Sequence, residues 1–240
     1  MGHLEYWFTM DHAARIRRHG LFAHLRFVFN FNVDRVVVNL HRDLKDLPEL
    51  EIPPGLAFRR ADLDEPTDQA HWIDLVNSAY PDGRENKETA HGLRHGHTFL
   101  AEVETFFLCD QDNTIGTVSI GVFRNDPTFG GDARIAVDPT VQGRGLGRLL
   151  VVFALHQLKA KGLHHAEAVI TLMRETSIRM HFKLGFRIPE SRSLWKFDIQ
   201  KRMWPVRRIV RARLEHIWEQ SMGAQIRVGR PVTQSQSTRE

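Results

Sequence analysis

Three glycines within five residues, in the run Gln142-Gly143-Arg144-Gly145-Leu146-Gly147, constrain this chain more than any other stretch. Before them, Ala133-Arg134-Ile135-Ala136-Val137 reads as a strand that ends at Asp138-Pro139. After them, Leu146, Leu149, Leu150, Phe153, Ala154 and Leu158 make one helical stripe, and Gly162 suits its left-handed close. A strand, a tight turn and a helix in that order expose the first N–H groups of the helix at the mouth of the turn. Glycines there let a ligand approach the backbone, so the arrangement suits a phosphate or pyrophosphate.

Two common phosphate-binding turns are disfavoured. A P-loop would close on Gly-Lys-Ser/Thr, and a dinucleotide fingerprint would read G-x-G-x-x-G. The pattern Q-x-x-G-x-G after a Val-Asp-Pro strand end instead resembles the acetyl-CoA-binding motif of the GNAT N-acyltransferase superfamily. The resemblance runs from about Leu56 to Ile199, because strand, two helices, hairpin, strand, helix, strand, helix and strand follow in the superfamily's order. It implies an α/β fold with a mixed sheet, and an N-acetyltransferase that moves an acetyl group from acetyl-CoA to a primary amine, with no metal.

Chemically, such transfer needs the cofactor held, the amine neutral and the developing charges on oxygen and sulfur stabilised. The turn with Gln142, Gly143, Arg144, Gly145, Leu146, Gly147 and Arg148 supplies backbone N–H groups and two cations. By resemblance, the backbone of Ile135, Ala136 and Val137 pairs with the pantetheine arm, and the Val137 N–H faces the thioester oxygen. The family's fourth helix reads N-x-x-A-x-x-x-Y-x-x-x-G-F. Laid on this sequence, Gly185-Phe186 matches, while Arg174 stands for Asn, Ser177 for Ala and His181 for Tyr. The family tyrosine protonates the departing thiolate. His181 is therefore the candidate acid, as imidazolium or as a neutral N–H donor, with a packing residue as the alternative. Asp132 lies near a base position used by relatives, with a one-residue offset that in a strand reverses the face. Arg174 and Ser177 are carried as cofactor-side positions.

Three further histidines, His91, His95 and His97, have no cysteine or committed carboxylate beside them and read as surface residues rather than metal ligands. Cys109 is the single cysteine, so no internal disulfide framework is available and a reducing, cytoplasmic compartment is expected. It sits in a hairpin strand rather than on a nucleophile elbow, so direct transfer is expected and not an acyl-cysteine. No run approaches the roughly 18 to 20 apolar residues of a membrane span, and Met1–Met10 lacks the pattern of a signal peptide.

Charge is uneven. Residues 201–240 carry a net +6 in a chain of net +4, so the first 200 residues are net −2. A basic tail can contact polyanions, but a solvated face explains it better, and nucleic acid is not the expected partner. An amphipathic stripe of Val206, Ile209, Val210, Leu214, Ile217 and Trp218 after Pro205 needs a cover, in the N-terminal extension or a second subunit, which allows a homodimer.

These readings divide the chain into an N-terminal extension over 1–55, the catalytic domain over 56–200, a basic helix over 201–221 and a disordered tail over 222–240. Within the extension, a helix over 11–24 and strands over 27–32 and 35–40 are expected. In the domain, helices are expected over 69–79 and 86–95, strands over 56–61, 106–109 and 115–122, and a loop over 125–131. A helix over 176–184 and strands over 166–171 and 194–199 complete it. Two other functions fit less directly: transfer of a longer acyl group from CoA or a carrier protein, motivated by Phe27, Phe29 and Phe31, and a non-catalytic CoA-binding scaffold. The acceptor amine is not legible.

Overall fold

The computed structural model describes residues 37–80, 84–95, 97, 99–124, 126–189 and 204–223. The expected helix over 11–24 and the strands over 27–32 and 194–199 lie outside them. Two compact units are present. Residues 37–170 with 184–189 form a sheet unit, and residues 171–183 with 204–223 a helical unit.

The sheet unit carries six strands: β1 (Val37–Asp43), β2 (Leu56–Ala61), β3 (Leu100–Asp110), β4 (Asn113–Phe123), β5 (Asp126–Val137) and β6 (His165–Thr171). Their spatial order is β1-β6-β5-β4-β3-β2. The pairs from β2 to β5 are antiparallel and β5 pairs with β6 in parallel. Helices α1 (Pro66–Ala79), α2 (Lys87–His95) and α3 (Leu146–Ala160) complete the unit.

Each helix begins where local chemistry allows. Pro66 sits at the first turn of α1, where a missing N–H costs nothing. Asn86 accepts the Thr89 N–H at 2.9 Å, and its own N–H donates to the Thr89 hydroxyl at 2.7 Å, so two groups cap α2 reciprocally. Trp72, Leu75, Val76, Ala90 and Leu93 bury against Val103, Phe107, Cys109 and Phe123 on one face of the sheet. On the opposite face, α3 packs Phe153 against Phe58 and Phe106, with ring centroids 3.7 and 5.1 Å away.

Three expectations are corrected. Of the loop expected over 125–131, residues 126–131 are instead the first half of β5. Its glycines serve close packing: a Cβ on Gly130 would stand 2.5 Å from Leu158 and 2.6 Å from Leu163, and one on Gly131 would stand 2.9 Å from Phe123. The strand expected over 106–109 runs from Leu100 and crosses an irregularity at Glu102, whose φ is +51°. Finally, the strand near residue 37 is no separate addition. β1 is an edge of the same sheet, where Asn39 and His41 bind the buried Glu167 carboxylate of β6 at 3.1 and 2.8 Å.

At the opposite edge, Asp68 of α1 accepts two bonds from the Arg59 guanidinium, at 2.7 and 2.9 Å, and one from the Asp62 N–H at 2.9 Å. The Arg59 bond, aided by that N–H, holds the Asp68 carboxyl below its ordinary value. A carboxyl depressed in the folded state contributes stability above its unfolded pKa of about 3.9 and loses it as pH falls through the folded value. Asp68→Asn is therefore expected to be destabilising at pH 7, with a gap from wild type that narrows below about pH 4. Urea midpoints at pH 7 and pH 3 check this.

In the helical unit, α4 (Glu175–Lys183) and α5 (Trp204–Met222) pack together. Val210, Leu214 and Ile217 of α5 are buried, and Arg179 of α4 binds the side chains of Glu175 and Gln220.

Candidate functional site

The parallel pairing of β5 with β6 covers Phe129 to Asp132 against His165 to Ala168 and then ends. What ends it is a bulge. Arg134 adopts φ +54°, and two residues of β5 oppose one of β4 between the pairs Ala133–Ser119 and Ala136–Thr117. Beyond it, β5 stays paired to β4, because the Asp138 N–H reaches the Ile115 carbonyl at 2.9 Å. A trans peptide points its C=O opposite to its N–H, so the Val137 carbonyl points away from β4. By the alternation of an antiparallel ladder, the Val137 N–H and the Ile135 carbonyl face the same way, into the opening beside β6.

Side chains occupy both carbonyls. Gln142 Nε2 donates to the Val137 carbonyl at 3.0 Å, which ties the glycine turn to the strand end. The Tyr80 hydroxyl, from the C-terminal end of α1, donates to the Ile135 carbonyl. Next to it, Glu85 pairs with Arg134 of the bulge at 2.7 Å, and Asn77 binds the Glu85 backbone on both sides at 2.9 Å. Burial, and after it the charges of Arg134 and Arg124, push the His97 imidazole below its ordinary value.

The turn itself needs its glycines for conformation. Gly143 and Gly145 have φ of +81° and +80°, and a Cβ on either would meet nothing within 4 Å. The space in front of the turn is thus open to a ligand. Gly145 is the N-cap of α3, and no side chain caps it. A cleft of about 360 Å³ lies alongside, between Arg144, Arg148 and Leu149 and the Pro48–Pro53 segment. That segment is anchored to α3 by His156 Nε2 on the Pro48 carbonyl at 2.9 Å. A second cleft, of about 660 Å³, opens between α1, the β3–β4 turn and Asp138.

A strand that splays from its parallel neighbour just before an uncapped helix start can take an extended, amide-bearing chain along its edge and an anion at its end. Residues 69–186 match the acetyltransferase (GNAT) family profile. Those residues form a GNAT-family domain.

Among GNAT relatives, a mycothiol acetyltransferase of Thermomonospora curvata is 28% identical over 156 residues, covering 63% of this chain and 52% of that protein. Its counterpart in Actinosynnema mirum is 30% identical over 174 residues, covering 67% and 52%. This chain spans about half the length of the curated relatives it matches. A solved GCN5-related N-acetyltransferase from Sphaerobacter thermophilus shares the fold, with TM-score 0.51, 16% identity, and 71% and 54% of the two chains covered.

Of the site residues expected from sequence, the GNAT sheet unit brings together Ile135, Ala136, Val137 and the run from Gln142 to Arg148. Asp132 sits two residues from Gly130, whose Cβ position points at Leu158 of α3 and at Leu163 beyond it, so its side chain is on the α3 face of the sheet. The one-residue offset thus resolves to the face opposite α1 and α2. Arg174, Ser177 and His181 belong to the helical unit. There the His181 Nδ1 lies 2.8 Å from the Ser177 carbonyl. A carbonyl only accepts, so Nδ1 carries the proton of the neutral ring and Nε2 is an acceptor. The imidazole, 1% exposed, can therefore give up a proton from Nε2 only as imidazolium.

Sequence reasoning missed Tyr80, Glu85 and the bulge at Arg134. Tyr80-Pro81 signals only a helix end, and nothing local marks a contact 55 residues away. The histidines have other work: His95 Nε2 bonds Asp64 at 2.7 Å, and His97 Nδ1 accepts from the Leu100 N–H at 3.0 Å. Among the described residues, no helix is long and apolar enough to cross a membrane.

Proposed function

We propose that this chain is an N-acetyltransferase that moves the acetyl group of acetyl-CoA to a primary amine by direct transfer. The observation that carries the reading is the splay of β5 from β6 directly before the Gly143–Gly147 turn. Acetyl-CoA supplies the activated acyl group. The first N–H groups of α3 meet its pyrophosphate, with Arg144 and Arg148 adding charge. Ile135 to Val137 receive the pantetheine arm as an added strand would be received. The Val137 N–H donates to the thioester oxygen, where charge grows as the amine attacks. Gln142 holds the turn against the strand end and keeps that N–H in place. The amine proton leaves to Asp132 or to ordered water, and His181 is a proton donor only as imidazolium.

The test is thiol release from acetyl-CoA over a panel of amines headed by the acceptor of the mycothiol acetyltransferase relatives, together with calorimetric binding of CoA. Saturable binding and turnover with at least one amine are expected. A protein that shows no CoA binding sinks the reading. His181→Gln, which keeps volume and a carbonyl-directed N–H but cannot become a cation, is expected to retain turnover within about threefold. A loss in the 10²-fold range typical of a general acid would assign the proton to the imidazolium.

A further inference from the structure

The family's donor tyrosine is absent from α4, yet a tyrosine hydroxyl does reach the cofactor opening, from a different element. Tyr80 stands at the C-cap of α1, its backbone N–H bonded to the Val76 carbonyl at 2.9 Å. From there its ring packs partly buried against the core below α1 and α2. Its hydroxyl donates to the Ile135 carbonyl. That carbonyl faces the opening beyond the last β5–β6 pair, two residues from the Val137 N–H. Tyr80 is the one tyrosine among the described residues, since the chain has two and the other is Tyr6.

We propose that Tyr80 is the proton donor to the departing thiolate, in place of a residue on α4. The inference rests on the acetyl-transfer reading. In an extended chain laid along β5, an amide N–H would seek the Ile135 carbonyl, which the phenol holds. An arriving ligand displaces the hydroxyl and leaves its proton directed into the opening beside the thioester. Attack by the neutral amine forms the C–N bond and breaks the C–S bond. Tyr80 gives its proton to sulfur, yielding the free thiol, and the proton lost by the acetylated nitrogen passes through solvent to restore the phenol. Protons and charge balance with no other reactant. The phenol suits the task because its ordinary pKa, about 10, lies near that of a thiol and well above that of a carboxyl. Glu85, itself bound to Asn77 of α1, holds the bulge through Arg134, so the helix that carries the donor also braces the strand that binds.

The experiment uses the full chain in two forms. Tyr80→Phe is compared with wild type for acetyl-CoA affinity by calorimetry, single-turnover transfer and melting temperature. Separately, 3-fluorotyrosine is incorporated into a Tyr6→Phe background, so that one ¹⁹F resonance reports position 80. The expected result is a Tyr80→Phe protein that folds and binds acetyl-CoA within about threefold of wild type but transfers about 10²-fold more slowly. The ¹⁹F resonance is expected to shift on addition of acetyl-CoA. Unchanged transfer in Tyr80→Phe, a raised KM with normal kcat, or a ¹⁹F resonance indifferent to acetyl-CoA each overturns the Tyr80 role and leaves acetyl transfer standing. Wild-type protein that binds acetyl-CoA and releases no thiol with any amine overturns the acetyl-transfer reading and this role with it. If Tyr80→Phe misfolds, the ¹⁹F measurement decides alone.

Discussion

Gly145→Asp is expected to weaken acetyl-CoA binding by about a hundredfold or more while the protein stays folded. Gly145 has φ +80° at the N-cap of α3, and a side chain there projects into open space, so no packing is lost. What is lost is anion binding. A left-handed conformation costs an ordinary residue about 1–2 kcal/mol, and relief of that strain turns the N–H groups of Leu146 and Gly147 off line. The carboxylate adds repulsion of about 4 kcal/mol for two unit charges 4 Å apart near a protein surface. Since 1.4 kcal/mol is tenfold, strain alone predicts a loss of about tenfold and the charge supplies the rest. Gly145→Ala separates the two and should lose about tenfold. Calorimetry with CoA reads the affinities. Equal binding by wild type and Gly145→Asp would place the phosphates elsewhere.

His41→Ala is expected to cost about 1–3 kcal/mol of folding stability, the range for taking a hydrogen-bond partner from a buried polar group. The Glu167 carboxylate is 1% exposed and its oxygens are held by His41 Nε2 at 2.8 Å and Asn39 Nδ2 at 3.1 Å. Without the imidazole, the carboxylate inside the sheet loses one of the groups that hold it. The lower end applies because the His41 ring is 25% exposed and water can reach part of the gap. The double variant His41→Leu with Glu167→Leu removes the carboxylate as well and should recover part of the loss, the remainder being the acceptor taken from the Asn39 amide. Urea unfolding of wild type, His41→Leu, Glu167→Leu and the double variant measures the coupling. If His41→Ala and the double variant are equally unstable, the pair is not what binds β1 to the sheet.

The legible part of the fold followed from periodicity and punctuation. The stripe of α3, strand β4 and the helices over 66–79 and 87–95 came through within a few residues of their ends, and β3 came through as the hairpin partner of β4 without its first six residues, because each pattern is local. The half of β5 over 126–131 did not, because its glycines look like loop residues until Leu158, Leu163 and Phe123 are seen against them. β1 was seen as a strand but not as part of the sheet. Its partner Glu167 lies more than 120 residues on, and a buried glutamate in a strand gives no local sign of what it binds.

The glycine turn was determined by the sequence alone: only a residue tolerant of positive φ can stand at Gly143 and Gly145, and a strand before and a helix after leave their N–H groups outward. The role of Gln142 was not, since its bond to the Val137 carbonyl depends on where the chain turns. The tertiary structure decided the rest of the site. Which face Asp132 takes depends on β-strand parity. Where the sheet opens depends on one extra residue at Arg134. Whether a hydroxyl waits in that opening depends on Tyr80 crossing from α1 to β5. Each of these is a relation between segments far apart in the chain, set by packing rather than by any local preference of the residues involved.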